Sequence, residues 1–153
     1  MTIDDNEKNR RLIALSARPD VRFWRTDYAL LSPAERVFLV IWELEAQVNN
    51  GGFNQYFFNS SGRLVPYAAN ALRTIGAQEM SSIVDLAVYA IGPNIPWLDD
   101  DARQDTVLAL DDDIQSELEE LDQAFFKYPN NLTELLYAYV VQHRDEIGAP
   151  ADF

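Results

Sequence analysis

Apolar residues recur along the chain at steps of three and four, which is the period of an amphipathic helix and not of a strand. The clearest run comprises Ala34, Val37, Phe38, Ile41, Leu44 and Val48. Further apolar residues at Leu39, Val40 and Trp42 widen the apolar arc, so we expect this helix to be central and buried on most sides. Ser32-Pro33-Ala34-Glu35 predicts its start, with Ser at the N-cap, Pro at N1 and Glu at N3.

The run Asn49-Asn50-Gly51-Gly52 predicts the end of this helix, because Asn and Gly accept the left-handed backbone that closes a helix. A short aromatic segment, Phe53–Phe58, follows it. Its composition permits a strand, but no second convincing strand lies nearby. We therefore predict a helical turn or two in this segment.

The remaining chain also reads as helical, with no internal repeat and no Gly/Ser linker. The two prolines in Asn94–Trp97 predict a loop. Further helices are predicted at Lys8–Ala17, Leu64–Ile75, Met80–Ile91, Ala102–Leu110 and Asp113–Lys127, with a last helix capped by Asn131 and apolar through Ile147. The length of 153 residues suits one domain. The prediction is an all-α fold, a single compact multi-helix domain over residues 1–153.

Charge is concentrated in one part of the chain. The sequence holds 25 acidic and 12 basic residues, a net charge of −13. Residues 99–122, the acidic stretch, hold eleven acids and one base, Arg103. Such a balance works against direct binding to nucleic acid or to an anionic membrane, which both favour a cationic surface. On its own, an acidic face also serves simply to keep a protein soluble.

Several classes of site and location are disfavoured by the composition. There is no cysteine, which excludes disulfides, thiolate metal sites and cysteine nucleophiles. The N-terminus is polar and no window approaches the roughly 18 apolar residues of a membrane span. We therefore expect a soluble cytoplasmic protein.

No motif for catalysis or metal binding stands out. His143 is the single imidazole and falls on the inner stripe of the last helix, where a packed residue at the core edge is the expected role. Calcium loops beginning at Asp99 or Asp111 would place Gln104 and Ser116 where an EF-hand needs Gly. The sequence therefore indicates no metal, no cofactor and no enzyme.

The turn at Asn49–Gly52 has two possible interpretations. It could cradle a phosphate, but it lacks the neighbouring Lys and the preceding strand of a P-loop. A structural role as helix stop and sharp turn is the preferred one. A ligand site would instead require Asn49, Asn54 and Gln55 to converge on an open pocket.

The acidic stretch has a charge spacing comparable with that of DNA. Asp113 to Asp122 spans nine residue steps, about 13.5 Å of helix, and holds five carboxylates. Their mean spacing of about 3.4 Å equals the phosphate spacing along one strand of B-DNA. The candidate partner-binding residues are Asp99, Asp100, Asp101, Asp105, Asp111, Asp112, Asp113, Glu117, Glu119, Glu120 and Asp122.

The segment Trp42–Gly62 resembles the signature of a bacterial family, the one typified by DNA-mimic protein nineteen. The family pattern is a Glu-bearing helix, an Asn-Gly-Gly-Phe turn (here Asn50–Phe53), then Gln, an aromatic pair and Asn. Ser32 and Ile75-Gly76-Ala77 are also similar to the family. The resemblance covers residues 30–80 well and implies an all-helical fold and a homodimer.

The resemblance also implies a kind of partner. At least one family member imitates DNA through an acidic surface and occupies the DNA-binding face of a helix-turn-helix repressor. The motif itself resembles fold architecture and carries no mimic residue over to this chain. The predicted function is therefore that of an acidic DNA mimic that blocks a DNA-binding protein. The candidate carboxylates named above would bind that protein.

Two alternatives remain open at this stage. One is an interaction module of immunity or adaptor type, which would use an apolar patch around Trp97 and Phe23-Trp24 and be indifferent to salt. The other is an enzyme of unknown chemistry that uses the Asn-Gly-Gly-Phe turn as a ligand site. Trp97 has a competing structural role as a lid over the core.

Overall fold

The computed structural model describes residues 2–18 and 27–153. These residues form α-helices and short 3-10 turns and contain no strand, which confirms the all-α prediction. The helices are α1 (Asp5–Ser16), α2 (Pro33–Phe58), α3 (Val65–Thr74), α4 (Gln78–Ile91), α5 (Asp100–Leu108), α6 (Asp112–Phe126), α7 (Leu132–Gln142) and α8 (Arg144–Ile147). None of the described helices is both long and apolar enough to cross a membrane.

The predicted helix positions agree with the structure to within a few residues, except at the last helix. That helix was expected to continue through Ile147, but α7 ends at Gln142 because His143 leaves helical geometry (φ −112°, ψ 30°). The chain restarts as the short helix α8. This break places Glu146 of α8 where its carboxylate accepts a hydrogen bond from the Ala34 backbone N–H, 2.7 Å away.

The described residues group into two compact units, Met1–Leu39 with Asn131–Phe153, and Val40–Asn130. Helix α2 contributes residues to both. A single domain over residues 1–153 stays a prediction.

In the first unit, α1 packs along α7. The Lys8 amine lies 3.8 Å from Asp5 and 3.6 Å from Glu134, and 5.9 Å from the centre of the Tyr137 ring. The predicted capping box at the start of α2 is present: Ser32 Oγ accepts from the Glu35 N–H at 3.2 Å, and Glu35 Oε1 accepts from the Ser32 N–H at 3.0 Å. Two backbone donors at the start of the helix are thereby satisfied.

In the second unit, α4 packs against α3 and α6 around an aromatic core. Phe53, Tyr56, Phe57 and Phe125 are all fully buried. The Phe53 ring lies 5.8 Å from Phe57 and 5.9 Å, edge-on, from Phe125 of α6. The aromatic segment after the Asn-Gly-Gly run therefore forms the centre of this unit.

Helix α2 is kinked at the predicted glycines. Gly51 (φ −155°, ψ 20°) and Gly52 (φ 74°, ψ −177°) leave helical geometry, and the chain resumes as a short helix over Phe53–Phe58, here called the turn helix. The Gly52 backbone conformation is essentially restricted to glycine. A Cβ atom at Gly52 would in addition collide with the Asp122 carboxylate of α6.

This geometry predicts a large stability loss for Gly52→Ala, about 3 kcal/mol in the free energy of unfolding, from backbone strain and steric overlap together. Gly92→Ala is the matched control, because Gly92 has a similar conformation (φ 92°, ψ 171°) with open space around its Cβ position. The control should lose about 1–2 kcal/mol. Urea unfolding followed by circular dichroism measures both, and equal losses would contradict the close approach of Asp122 to Gly52.

Candidate functional site

The N-terminus of the turn helix is bound by a carboxylate from the acidic stretch. The Phe53 backbone N–H donates to Asp122 Oδ1 at 2.7 Å. A negative group is favourable there, since the free N–H groups and the helix dipole both attract it. The Asn-Gly-Gly-Phe turn thus has an anion of its own, and this supports the structural interpretation of the motif over a phosphate cradle.

The C-terminus of the turn helix is bound by the one base of the acidic stretch. The Arg103 guanidinium is fully buried and donates to the backbone oxygens of Phe57 (2.8 Å), Asn59 (2.9 Å) and Trp97 (2.6 Å). It also binds Asp100 Oδ1 at 2.8 Å. A cation is favourable at a helix C-terminus, where carbonyl groups lack helical partners.

Gly62 allows this close packing. A Cβ atom at Gly62 would overlap both Arg103 Nε and the Phe57 carbonyl oxygen. The lack of a side chain at Gly62 therefore leaves room for Arg103 to reach the end of the turn helix.

Nine of the eleven candidate carboxylates of the acidic stretch are exposed. We call them the outer carboxylates: Asp99, Asp101, Asp105, Asp111, Asp112, Asp113, Glu117, Glu119 and Glu120. Asp99 and Asp111 each use one oxygen as an N-cap, accepting from Ala102 and Ile114 respectively. Within residues 2–18 and 27–153, the other seven make no ion pair or side-chain hydrogen bond.

The remaining two candidates, Asp100 and Asp122, have partners within the protein, and their contact with a binding partner stays a prediction. Asp122 is half-buried and holds the Phe53 N–H, as described above. Asp100 is half-buried between Arg103 and Arg63, and the latter binds it at 2.9 Å. Their carboxylates serve the fold, because each neutralises a helix end or a buried cation.

The outer carboxylates of α6 lie on the side of the helix away from its core residues. At 100° per residue, Asp113, Glu117 and Glu120 form one row, and Asp112 and Glu119 form a second row about 100–120° around the helix from the buried Leu118. Without Asp122, the four acids from Asp113 to Glu120 span seven steps, about 10.5 Å, with a mean spacing of about 3.5 Å. The DNA-like spacing therefore survives the loss of Asp122.

Side-chain amides of the turn helix are hydrogen-bonded to amides of neighbouring helices. Gln47 Oε1 accepts from Gln55 Nε2 and Asn59 Nδ2, both at 2.9 Å, and Asn54 Nδ2 donates to Gln115 Oε1 at 2.9 Å. Asn54 and Gln55 line an open cleft, as a ligand site would require.

Asn49 does not join this network. Its amide donates to the Tyr128 hydroxyl at 2.6 Å, and burial raises the pKa of Tyr128 to about 12. The three amides named as a possible enzyme site therefore do not converge.

Two other residues singled out in the sequence, Trp97 and His143, have structural surroundings. Trp97 is half-buried, with its ring 5.6 Å from that of Phe57, as expected of a lid over the core. The His143 ring packs against the Tyr139 ring with centroids 4.2 Å apart and planes tilted by 34°, and its Nδ1 lies 3.9 Å from Glu146 Oε1. Phe23-Trp24 lies outside the described residues. In the part of the chain described here, no group of three His, Asp or Glu residues is arranged to hold a metal ion.

Comparison with known families decides the relationship. The family model described as DMP19-like protein matches residues 29–143, most of the chain. The chain belongs to the DMP19-like protein family. No curated protein and no solved structure matches it.

The sequence does not reveal the structural roles of two residues of this DMP19-like protein, Arg103 and Asp122. Arg103 stood out only as the single base among acids, and Asp122 only as one of many carboxylates. Each binds the turn helix across more than forty residues of sequence, so no local motif identifies them.

The Arg103 contacts predict a strong effect of Arg103→Lys. A lysine amine cannot reach all these acceptors, and each buried group left unpaired costs about 1–3 kcal/mol, so we expect a loss of about 3 kcal/mol or more. Arg63→Lys is the control, because Arg63 binds the same Asp100 from the solvent-exposed side. Chemical denaturation should show only a small change for the control, and similar losses in both variants would contradict the central role of Arg103.

Half-buried carboxylates predict an unusual pH dependence of stability. Burial raises the pKa of Glu43, Glu45 and Asp122 above their ordinary values of 4.5, 4.5 and 3.8. From about pH 4 up to the raised pKa values of these groups, the native state therefore holds more protons than the unfolded state. The free energy of unfolding falls as the pH rises through this range.

Other acids act in the opposite direction at lower pH. Hydrogen bonds to Arg10 and Arg11 lower the pKa of Glu7, and bonds to Arg63 and Arg103 lower that of Asp100. Their contribution is lost only as the pH drops below their ordinary values.

We therefore expect a higher melting temperature near pH 5 than near pH 7.5, with salt held at about 0.5 M to screen general repulsion. Glu45→Gln should flatten this slope, whereas Asp145→Asn, at an exposed position, should leave it unchanged. A melting temperature that rises from pH 5 to pH 7.5 would contradict the assignment.

Proposed function

We propose that this DMP19-like protein is an acidic DNA mimic. Its outer carboxylates bind the DNA-binding surface of a DNA-binding protein, a helix-turn-helix regulator, and block access to DNA. In this proposal the protein acts in the cytoplasm by binding alone, with no cofactor and no catalytic step. Its partner is a protein and not a nucleic acid or a membrane.

The separation of charge within the acidic stretch carries the proposal. Its one cation, Arg103, is fully buried, whereas nine of its eleven acids are exposed. No cation of the stretch itself is left at the surface to screen these acids. A surface of one charge sign attracts a partner of the other sign and speeds its association.

The spacing of the charges supports a DNA-binding protein as the partner. A mean spacing of about 3.5 Å along Asp113–Glu120 is close to that of successive phosphates. Proteins that bind DNA place Lys and Arg side chains against that spacing. Family membership adds to this argument, since the family includes a DNA mimic.

The alternative of an apolar interaction module has lost part of its support. Trp97, one of its two proposed anchors, packs on Phe57, and its carbonyl oxygen binds Arg103. The homodimer implied by the family resemblance stays a prediction, which light scattering tests.

Neutralising two outer carboxylates tests the proposed function. In Glu117→Gln/Glu120→Gln, a captured DNA-binding partner should be held roughly tenfold more weakly, since each exposed ion pair contributes up to about 1 kcal/mol. Asp145→Asn/Asp152→Asn removes two exposed charges outside the acidic stretch and is the matched control. Affinity capture from cell extract, followed by titration calorimetry with the captured protein, gives both values.

The same titration is repeated from about 0.05 M to about 0.5 M salt, where binding should weaken steeply. Binding that is unchanged over this range, or lost equally in the two double variants, would contradict the proposed function.

A further inference from the structure

An open cleft lies between the turn helix and helices α5 and α6. Its volume is about 510 Å³, and its walls include Asn54, Phe58, Val107, Leu108 and Gln115. Leu108 is 73% exposed, so its side chain offers apolar surface beside the cleft. We call this feature the amide cleft.

The polar groups of the amide cleft are neutral and planar. Asn54 and Gln115 join its two walls through their 2.9 Å amide hydrogen bond, and Gln55 and Asn59 both bind Gln47 behind them. Gln115 Oε1 already accepts from Asn54, and Gln55 Oε1 accepts from Asn50 at 3.2 Å, so the side-chain oxygens of Asn54 and Asn59 are the preorganised acceptors that remain. Among the described residues, no charged side chain lines the cleft.

Carboxylates surround this neutral cleft through the register of the two helices. Asp111, Asp112 and Glu119 lie within one turn of Gln115 on the same side of α6. On α5, Asp105 lies one turn before Leu108. A positive side chain is therefore attracted to the cleft, although the cleft itself offers apolar surface and amide oxygens.

We propose that the amide cleft receives an arginine side chain of the partner. The apolar stem of the arginine would lie along Leu108, and its guanidinium would meet the Phe58 ring and the amide oxygens. This inference rests on the proposed function and adds a specific contact to a charge-driven surface.

Arginine fits this cleft better than lysine on chemical grounds. A guanidinium is planar, weakly hydrated and able to stack on an aromatic ring, whereas an ammonium is compact and strongly hydrated. The outer carboxylates alone do not distinguish the two, because both carry one positive charge. Preference for arginine over lysine is thus the signature of the cleft.

Two peptides of eight residues, alternating alanine with either arginine or lysine, are the probes. They are titrated into the full-length protein labelled with ¹⁵N, at about 0.05 M salt, and the side-chain NH₂ signals are followed by NMR. We expect the arginine peptide to bind about threefold more tightly than the lysine peptide. The NH₂ signals of Asn54 and Gln115 should shift with the arginine peptide only.

Gln115→Lys places a positive charge in the cleft and should abolish the preference for arginine. Gln123→Lys is the matched control, because it makes the same change at an exposed position of the same helix outside the cleft lining. Asn54→Lys blocks the cleft from its other wall, in case Gln115→Lys perturbs the fold.

The outcomes separate this inference from the proposed function. If both peptides bind equally and the NH₂ signals of Asn54 and Gln115 do not shift, the arginine cleft is overturned. The acidic docking surface is then unaffected. A preference that survives Gln115→Lys and Asn54→Lys would also overturn it. Failure of both peptides to bind at low salt would overturn the cleft and the proposed function together.

Discussion

The arrangement of the second unit depends on how the short turn helix Phe53–Phe58 is held at its two ends. Asp122 supplies a negative charge at its N-terminus and Arg103 a positive charge at its C-terminus, as the helix dipole favours. Without them the Phe53 N–H and the Phe57 carbonyl would lack partners next to a fully buried aromatic core, which is costly. Because both groups come from the acidic stretch, these two contacts, here called the clamp, also fix α5 and α6 against the turn helix.

The clamp also determines which charges of the acidic stretch are used within the fold and which are left exposed. The cation is buried and two of the acids bind groups within the protein, so the nine exposed acids all carry charge of one sign. Like-charged neighbours three or four residues apart on α6 cost about 0.2–0.5 kcal/mol per pair, a repulsion that the fold tolerates. A partner that brings positive charge would relieve this repulsion, so the fold and the proposed docking surface are physically linked.

Local patterns predicted the helices, the helix stop at Asn49–Gly52 and the capping box at Ser32, because each depends on residues within one or two turns. The helix break at His143 was missed, since the contact of Glu146 with the Ala34 N–H joins residues far apart in sequence. For the same reason the sequence does not reveal the contact of Asp100 with Arg103 or that of Asp122 with the Phe53 N–H. Exposure of the other nine acids agrees with expectation, whereas the amide cleft arises only from packing of three helices.

Competition with DNA is the sharpest test of whether the acidic surface occupies a DNA-binding site. The captured partner is loaded with a fluorescent DNA duplex, and the anisotropy is followed as this DMP19-like protein is added. We expect full release of the duplex, with an apparent dissociation constant that rises linearly with the DNA concentration. A stable ternary complex, in which the duplex stays bound while the protein binds, would contradict it.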